Sequence, residues 1–252
     1  EAALIGLAGL AAGTINTVVG SGTLITFPTL LAFGVPPVTA NVSNTVGLVP
    51  GAVSGAVGYR RELADQWPRV FRLASASLLG GLVGGALLLV LAEGAFETIV
   101  PALIGLGVLL VVFGKPISAW VARRHERLGT ANAGVTGARW VWPAIFGTGV
   151  YGGYFGAAQG VLLMAVLGIG IRESLQRLNA VKNVLAAAAN AVSGVLFIAV
   201  ADVDWQIAGL IALGAVVGGQ IGATVGRRLP EAALRGFIVV VGLTALAVFL
   251  LG

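Results

Sequence analysis

Charged residues are too sparse in this chain to cover its apolar blocks with a water-facing surface. Only 10% of the 252 residues are charged and 58% are hydrophobic, whereas a soluble domain carries roughly 25% charged residues. Folding such a chain in water would leave large apolar patches exposed. The apolar residues also fall into runs near the ~20 residues that cross a hydrocarbon core. The chain is therefore read as an all-α integral membrane protein.

Apolar runs between polar breaks lie at about 2–20, 23–34, 41–58, 69–91 and 98–114, then at 141–156, 160–171, 183–200, 206–226 and 236–251. This divides the chain into a first membrane repeat (1–114), a basic linker (115–139) and a second membrane repeat (140–252). The 39 glycines include Gly80, Gly81, Gly84 and Gly85, and Gly214, Gly218 and Gly219, inside apolar runs. In a bilayer such residues let helix backbones approach closely, so they are assigned packing and no chemistry. No Cys is present, which excludes disulfides and thiolate sites. The single His125 lies in the charged run Arg123-Arg124-His125-Glu126-Arg127, read as a solvated loop. The high pI of about 10.4 reflects basic loops that orient the chain and meet anionic lipid, with no nucleic-acid partner implied. The chain opens at Glu1 without a Met or a basic leader, and no cleavable signal segment is read in the sequence given.

Basic residues choose between two topologies. If 2–34 and 141–171 each cross once as a broken helix, the fifteen Lys and Arg split nine to six. If each is a hairpin that returns to its starting side, all fifteen fall on one side. Lys and Arg are retained in the cytoplasm, so the hairpin arrangement is preferred, with both termini outside a bacterial inner (plasma) membrane. Gly13 and Gly20 recur as Gly149 and Gly156, and Asn44, Ser54 and Gly55 recur as Asn183, Ser193 and Gly194. Five segments per half is an odd number, so the second half inserts upside down. The expected architecture is thus two inverted repeats of about five helical segments, the first two of each forming a short broken-helix hairpin. Transporters built this way place their substrate near the midplane at the repeat interface.

The breaks are Gly20-Ser21-Gly22-Thr23 and Gly156-Ala157-Ala158-Gln159-Gly160. The return piece after the first reaches only ~16 Å, half a bilayer. Each return helix would turn free N–H groups and its positive dipole end toward the centre, where anions are favoured. Polar residues of the apolar runs cluster beside these breaks, and no carboxylate lies among them. Sites for cations or protons usually need one, so the chemistry leans toward an anion. The candidate substrate-binding residues are Asn16, Ser21, Thr23, Asn44, Thr45, Gln159, Lys182 and Asn183, with Asn41, Ser43, Asn179 and Asn190 in the same cluster. For any single Asn or Ser, a helix–helix hydrogen bond is the competing explanation. Lys182 is the most interior basic residue; either a bound anion compensates its charge, or it snorkels to the headgroups. Its first-half counterpart is Ser43.

No phosphate-binding loop, zinc motif or nucleophile–base set is present, so no enzyme, no metal and no cofactor are expected. The residues point to a secondary transporter of a small anion. A passive anion channel and a non-transporting membrane scaffold are the alternatives. Membrane lipid is the second partner, and the chain acts alone or as a homodimer.

Gly20-Ser21-Gly22-Thr23-Leu24-Ile25-Thr26-Phe27-Pro28, then Gly34-Val35-Pro36-Pro37 and Ala40-Asn41-Val42-Ser43-Asn44-Thr45, resembles the first half of the TauE/SafE sulfite exporter family. Ser54-Gly55 and Tyr59-Arg60 fit the same pattern, and Leu178-Asn179-Ala180-Val181-Lys182-Asn183 with Val203-Asp204-Trp205 resembles the second half. The resemblance spans nearly the whole chain and implies a permease for sulfite, organosulfonates or related small anions. The chain departs from the family pattern at Gly20-Ser21-Gly22, shorter than many members' glycine runs, and at Ala157, Ala158 and Gln159.

Overall fold

The computed structural model describes residues 1–91, 93–128, 138–225 and 231–251. Among them the regular structure is helical: α1 (Ala2–Val18), α2 (Thr23–Ala32), α3 (Pro37–Gly58), α4 (Trp67–Val90) and α5 (Glu93–Leu128), then α6 (Val141–Tyr154), α7 (Gln159–Gly170), α8 (Leu175–Val200), α9 (Trp205–Thr224) and α10 (Glu231–Leu251). By length and composition, α4, the Gly94–Gly114 part of α5, α8 and α9 can cross a bilayer. Helices α1, α2 and α7 are apolar but shorter. The ten residues of α2 reach ~15 Å, half the core.

Every expected run is a helix, but several helices start earlier than the apolar pattern does. Pro37 occupies the first turn of α3, where its missing N–H costs nothing. Ser174 opens α8 by accepting a hydrogen bond from the Arg177 N–H. The polar stretches 41–45 and 179–183 therefore lie within helices, and in the second Asn179, Lys182 and Asn183, at i, i+3 and i+4, share one face. Helix α5 continues to Leu128, into the stretch read as a basic linker. From Ala119 to Leu128 that stretch holds two Ala and three Arg with Glu126 and Leu128, all good helix formers. Residues 129–137 of the linker, and Arg227 and Arg228, lie outside the described residues.

Glycine registers the helices. Against α9, Gly9 and Gly13 of α1 meet the backbones of Ile211 and Ala215. In return Gly214, Gly218 and Gly222 meet Gly6 and Leu10, Leu10 and Thr14, and Thr14 and Thr17 in turn. Numbers rise together, so α1 and α9 run parallel. Helix α3 joins α9 in the same sense, with Gly47, Gly51 and Gly58 against Ala208, Ala215 and Ala223. A second group is built alike. Gly80 and Gly84 of α4 meet Phe146 and Val150 of α6, while Gly81 and Gly85 meet Ala189 and Ser193 of α8. Both pairs are again parallel. The groups join where α3 packs on α8, and α5 packs on α10 beside them. Between α2, α5 and the end of α6, Phe27, Phe96 and Phe155 form a buried edge-to-face cluster with centroids 5.0–6.4 Å apart.

Close backbone packing of this kind does not tolerate a branched side chain. A Cβ on Gly218 would overlap the Leu10 carbonyl, whereas Gly209 has nothing within 4 Å of that position. Gly218→Val should cost about 1–3 kcal/mol by overpacking, read as a lower thermal unfolding midpoint in detergent. Gly209→Ala should leave the midpoint unchanged or slightly raised.

Candidate functional site

The site is built by two helices that stop in the same way. At the end of α1, the Val19 and Gly20 N–H groups both donate to Ile15 O, at 2.7 and 3.0 Å. At the end of α6, Phe155 and Gly156 donate to Tyr151 O at 3.0 and 3.1 Å. Gly20 and Gly156 take φ of +88° and +77°, a left-handed turn that glycine adopts without a Cβ penalty. The two stops touch. Gly160 N–H donates to Gly20 O at 2.9 Å, and a Cβ on either glycine would overlap the other's backbone. Ala158, the residue before α7, is also left-handed at φ +59°, a strained conformation for a residue with a Cβ.

Stopping a helix at this depth leaves carbonyls without N–H partners, and residues of the other group supply the donors. Asn179, Lys182 and Asn183 stand on one face of α8. Lys182 Nζ lies 3.1 Å from both Asn16 O and Thr17 O. Asn179 Nδ2 and Asn183 Nδ2 donate to the same Thr17 O at 3.2 and 3.5 Å. On α3, Asn41 Nδ2 donates to Tyr154 O at 2.9 Å, and within the second tip the Tyr151 hydroxyl donates to Ala157 O. Lys182 is fully buried and does not snorkel.

The first tip has its own polar lining. Asn44 accepts from the Thr26 hydroxyl at 2.5 Å and donates to Thr23 Oγ1 at 3.5 Å. The Gly22 N–H points to Asn16 Oδ1 at 3.4 Å. Ser21 is fully buried, and its hydroxyl has no hydrogen-bond partner among the described residues. Thus Asn16, Ser21, Thr23, Asn44, Lys182 and Asn183 come together around the first tip. Thr45 is buried on α3 next to Asn44. Gln159 turns back into its own hairpin and donates to Thr148 O at 3.3 Å. The sequence reading did not single out Thr17 or Thr26. Thr26 follows Thr23 at i+3, which is a readable signal. Thr17 acts through its backbone carbonyl, which no side-chain pattern marks.

The two ends of the bundle differ. At one end the 59–66 connection is tied to the start of α8. Arg69, 7% exposed, lies 3.5 Å from Glu173 and donates to Gln66 Oε1 at 2.6 Å. Arg177 pairs with Glu173 at 3.3 Å and donates to Ala64 O at 3.1 Å. At the other end a cavity of about 240 Å³ is lined by Pro36, Pro37, Thr39, Val42, Glu97 and Asp202, among others.

The family described as "Sulfite exporter TauE/SafE" matches residues 5–250. The chain belongs to the TauE/SafE family. Among curated TauE/SafE-like relatives, a "Probable membrane transporter protein" of Haemophilus influenzae is 24% identical, over 94% of this chain and 90% of its own length. The "Probable membrane transporter protein ORF9" of a Sinorhizobium species is 26% identical over 99% and 92%. The "Probable membrane transporter protein YfcA" of Escherichia coli K12 is 27% identical over 91% and 82%. No solved structure matches the chain.

Removing the Glu173 carboxylate tests its contribution. Glu173→Gln removes the carboxylate that faces the buried Arg69 guanidinium. The loss should fall between the ~1 kcal/mol of an exposed pair and the ~3 kcal/mol of a buried one, measured by thermal or denaturant unfolding. Arg61→Gln, on the exposed part of the same connection, should change little.

Proposed function

We propose that this TauE/SafE protein is a membrane transporter of the secondary class that moves a small anion such as sulfite or an organosulfonate. The observation that carries this reading is the meeting of two glycine-stopped helices, Gly160 N–H on Gly20 O, beside the buried, unpartnered Ser21 hydroxyl. Neutral donors and one ammonium surround that point. Asn16, Ser21, Thr23, Asn44, Thr45, Gln159, Lys182 and Asn183 are the proposed binding set. The family description and the relatives' names support transport in general, and the donor chemistry supports an anion.

The packing supports inverted repeats. Exchanging α1–α5 with α6–α10 preserves the main helix pairs: α1 on α9 becomes α6 on α4, and α3 on α9 becomes α8 on α4. Helices α1 and α3 run with α9, and α6 and α8 run with α4. Short connections at 59–66 and 201–204 reverse the chain between the two groups. Corresponding helices then run in opposite directions, as residues 1–114 and 140–252 would if related by inversion. This favours the hairpin topology, with both termini outside and the 115–139 linker in the cytoplasm of a bacterial inner membrane. The Arg69–Glu173 end then faces inward, and the Glu97–Asp202 cavity opens outward.

Three experiments test the reading. In proteoliposomes, sulfite or sulfoacetate should move saturably, and an imposed proton or anion gradient should drive accumulation. Flux that only follows the anion's own gradient would make the protein a channel, and no flux across sulfite, sulfoacetate, sulfate, thiosulfate and acetate would make it a scaffold. Asn44→Ala and Asn183→Ala should each weaken anion binding by about 1–3 kcal/mol; full affinity in both would remove the shared site. For topology, the Cys-free chain takes single cysteines. An impermeant maleimide should label Asp202→Cys and not Arg61→Cys in intact cells.

A further inference from the structure

Four half-helix ends converge at the contact between Gly20 and Gly160. Helices α1 and α6 end there, and α2 and α7 begin there. Each C-terminal end carries roughly −0.5 charge and each N-terminal end roughly +0.5. Their sum is close to zero, so helix dipoles alone do not make the centre attractive to an anion. One basic side chain stands beside it. Lys182 is fully buried on α8, and its Nζ rests on Asn16 O and Thr17 O. Among the described residues no carboxylate pairs with it.

The second tip lacks this feature. Its exposed carbonyl, Tyr154 O, is met by one neutral amide, Asn41 Nδ2. Ser43, the counterpart of Lys182, instead accepts a hydrogen bond from the Asp204 N–H at 2.9 Å. The stop of α1 is therefore clamped by an ammonium and two amides, and the stop of α6 by one amide. The clamp continues into the tip through Asn16, whose carbonyl oxygen meets Lys182 and whose side chain faces the Gly22 N–H at 3.4 Å.

We propose that Lys182 is a positioning and charge-setting residue: its ammonium clamps the carbonyl end of α1, holds the first tip in place, and gives the meeting point of the four helix ends its preference for anions. Two of its three N–H groups engage α1, so its effect on the substrate passes mainly through the helix end and its field. Asn179, which meets the same carbonyl without charge, shares the clamping and not the charge. The inference rests on the anion-transport reading for its second half alone.

The test uses the purified full-length chain and two readouts. Amide hydrogen exchange over residues 19–24 reports local opening of the tip, and sulfite flux in proteoliposomes reports apparent KM and Vmax. Losing a charge-assisted hydrogen bond in a buried place corresponds to about tenfold or more. Lys182→Gln should speed exchange at 19–24 by about that factor and raise the KM for sulfite similarly, with a smaller change in Vmax. Lys182→Arg should restore the exchange protection and part of the KM. Asn179→Ala should speed exchange while leaving KM closer to wild type, which separates the clamp from the charge. If Lys182→Gln does not fold, Lys182→Met, of similar length and apolar, takes its place in both assays. Unchanged exchange in the folded Lys182 variant overturns the clamp, and unchanged KM overturns the charge-setting role. If the wild-type chain moves no sulfite, the anion reading fails, while the exchange comparison still decides the clamp.

Discussion

The structure depends on satisfying the carbonyl groups that appear when a helix stops inside a membrane. Away from water, each one left bare costs several kcal/mol. Asn16 O, Thr17 O and Tyr154 O are such groups, and each is met by a side chain from the other half of the chain. Neither broken helix is stable in this form without its partner. This explains why Asn41 on α3 and Asn179, Lys182 and Asn183 on α8 are polar although buried. It also explains why α3 and α8, which carry them, pack against each other in the middle of the fold.

The glycine stripes serve the same end. A carbonyl of α1 is reachable from α8 only if the helices lie close and in fixed register. Along α1 and α9, α3 and α9, α4 and α6, and α4 and α8, small residues every fourth position let backbones touch. Lipid gives no hydrophobic drive to such contacts, so van der Waals fit and hydrogen bonds supply it. The Gly20–Gly160 contact extends this principle to the irregular backbone itself, where one N–H meets one carbonyl across the two tips.

Much of this was legible from residue order. Apolar runs located the helices, and Gly20 and Gly156 marked the stops because only glycine takes that turn cheaply. Helix starts were less legible. The pattern of apolar residues begins late in α3 and α8, whose first turns hold the polar residues that reach across to the other half. The site was legible as a set of residue types and not as a geometry. Asn44, Lys182 and Asn183 could be named from their setting, yet their partners are Thr26 and the carbonyls of Asn16 and Thr17. Backbone acceptors have no letter of their own in a sequence. Gln159 is of the expected type in the expected loop, and its amide fills the space over Gly152, a placement the residue letters do not give.

The asymmetry between the two ends of the bundle adds a mechanical step. A half-buried Arg69–Glu173 pair, extended through Gln66 and Arg177, ties the 59–66 connection to the start of α8. Helix α8 is also the helix whose polar face clamps α1. Movement of the start of α8 away from the 59–66 connection would strain its hold on Thr17 O, because both contacts sit within its first three turns. The opposite end carries a cavity lined by Val42, one residue from Asn41, whose amide holds the second tip. Each tip is thus held by a helix whose near end lies at one face of the bundle. Opening a face and loosening a tip are then linked by rigid helices.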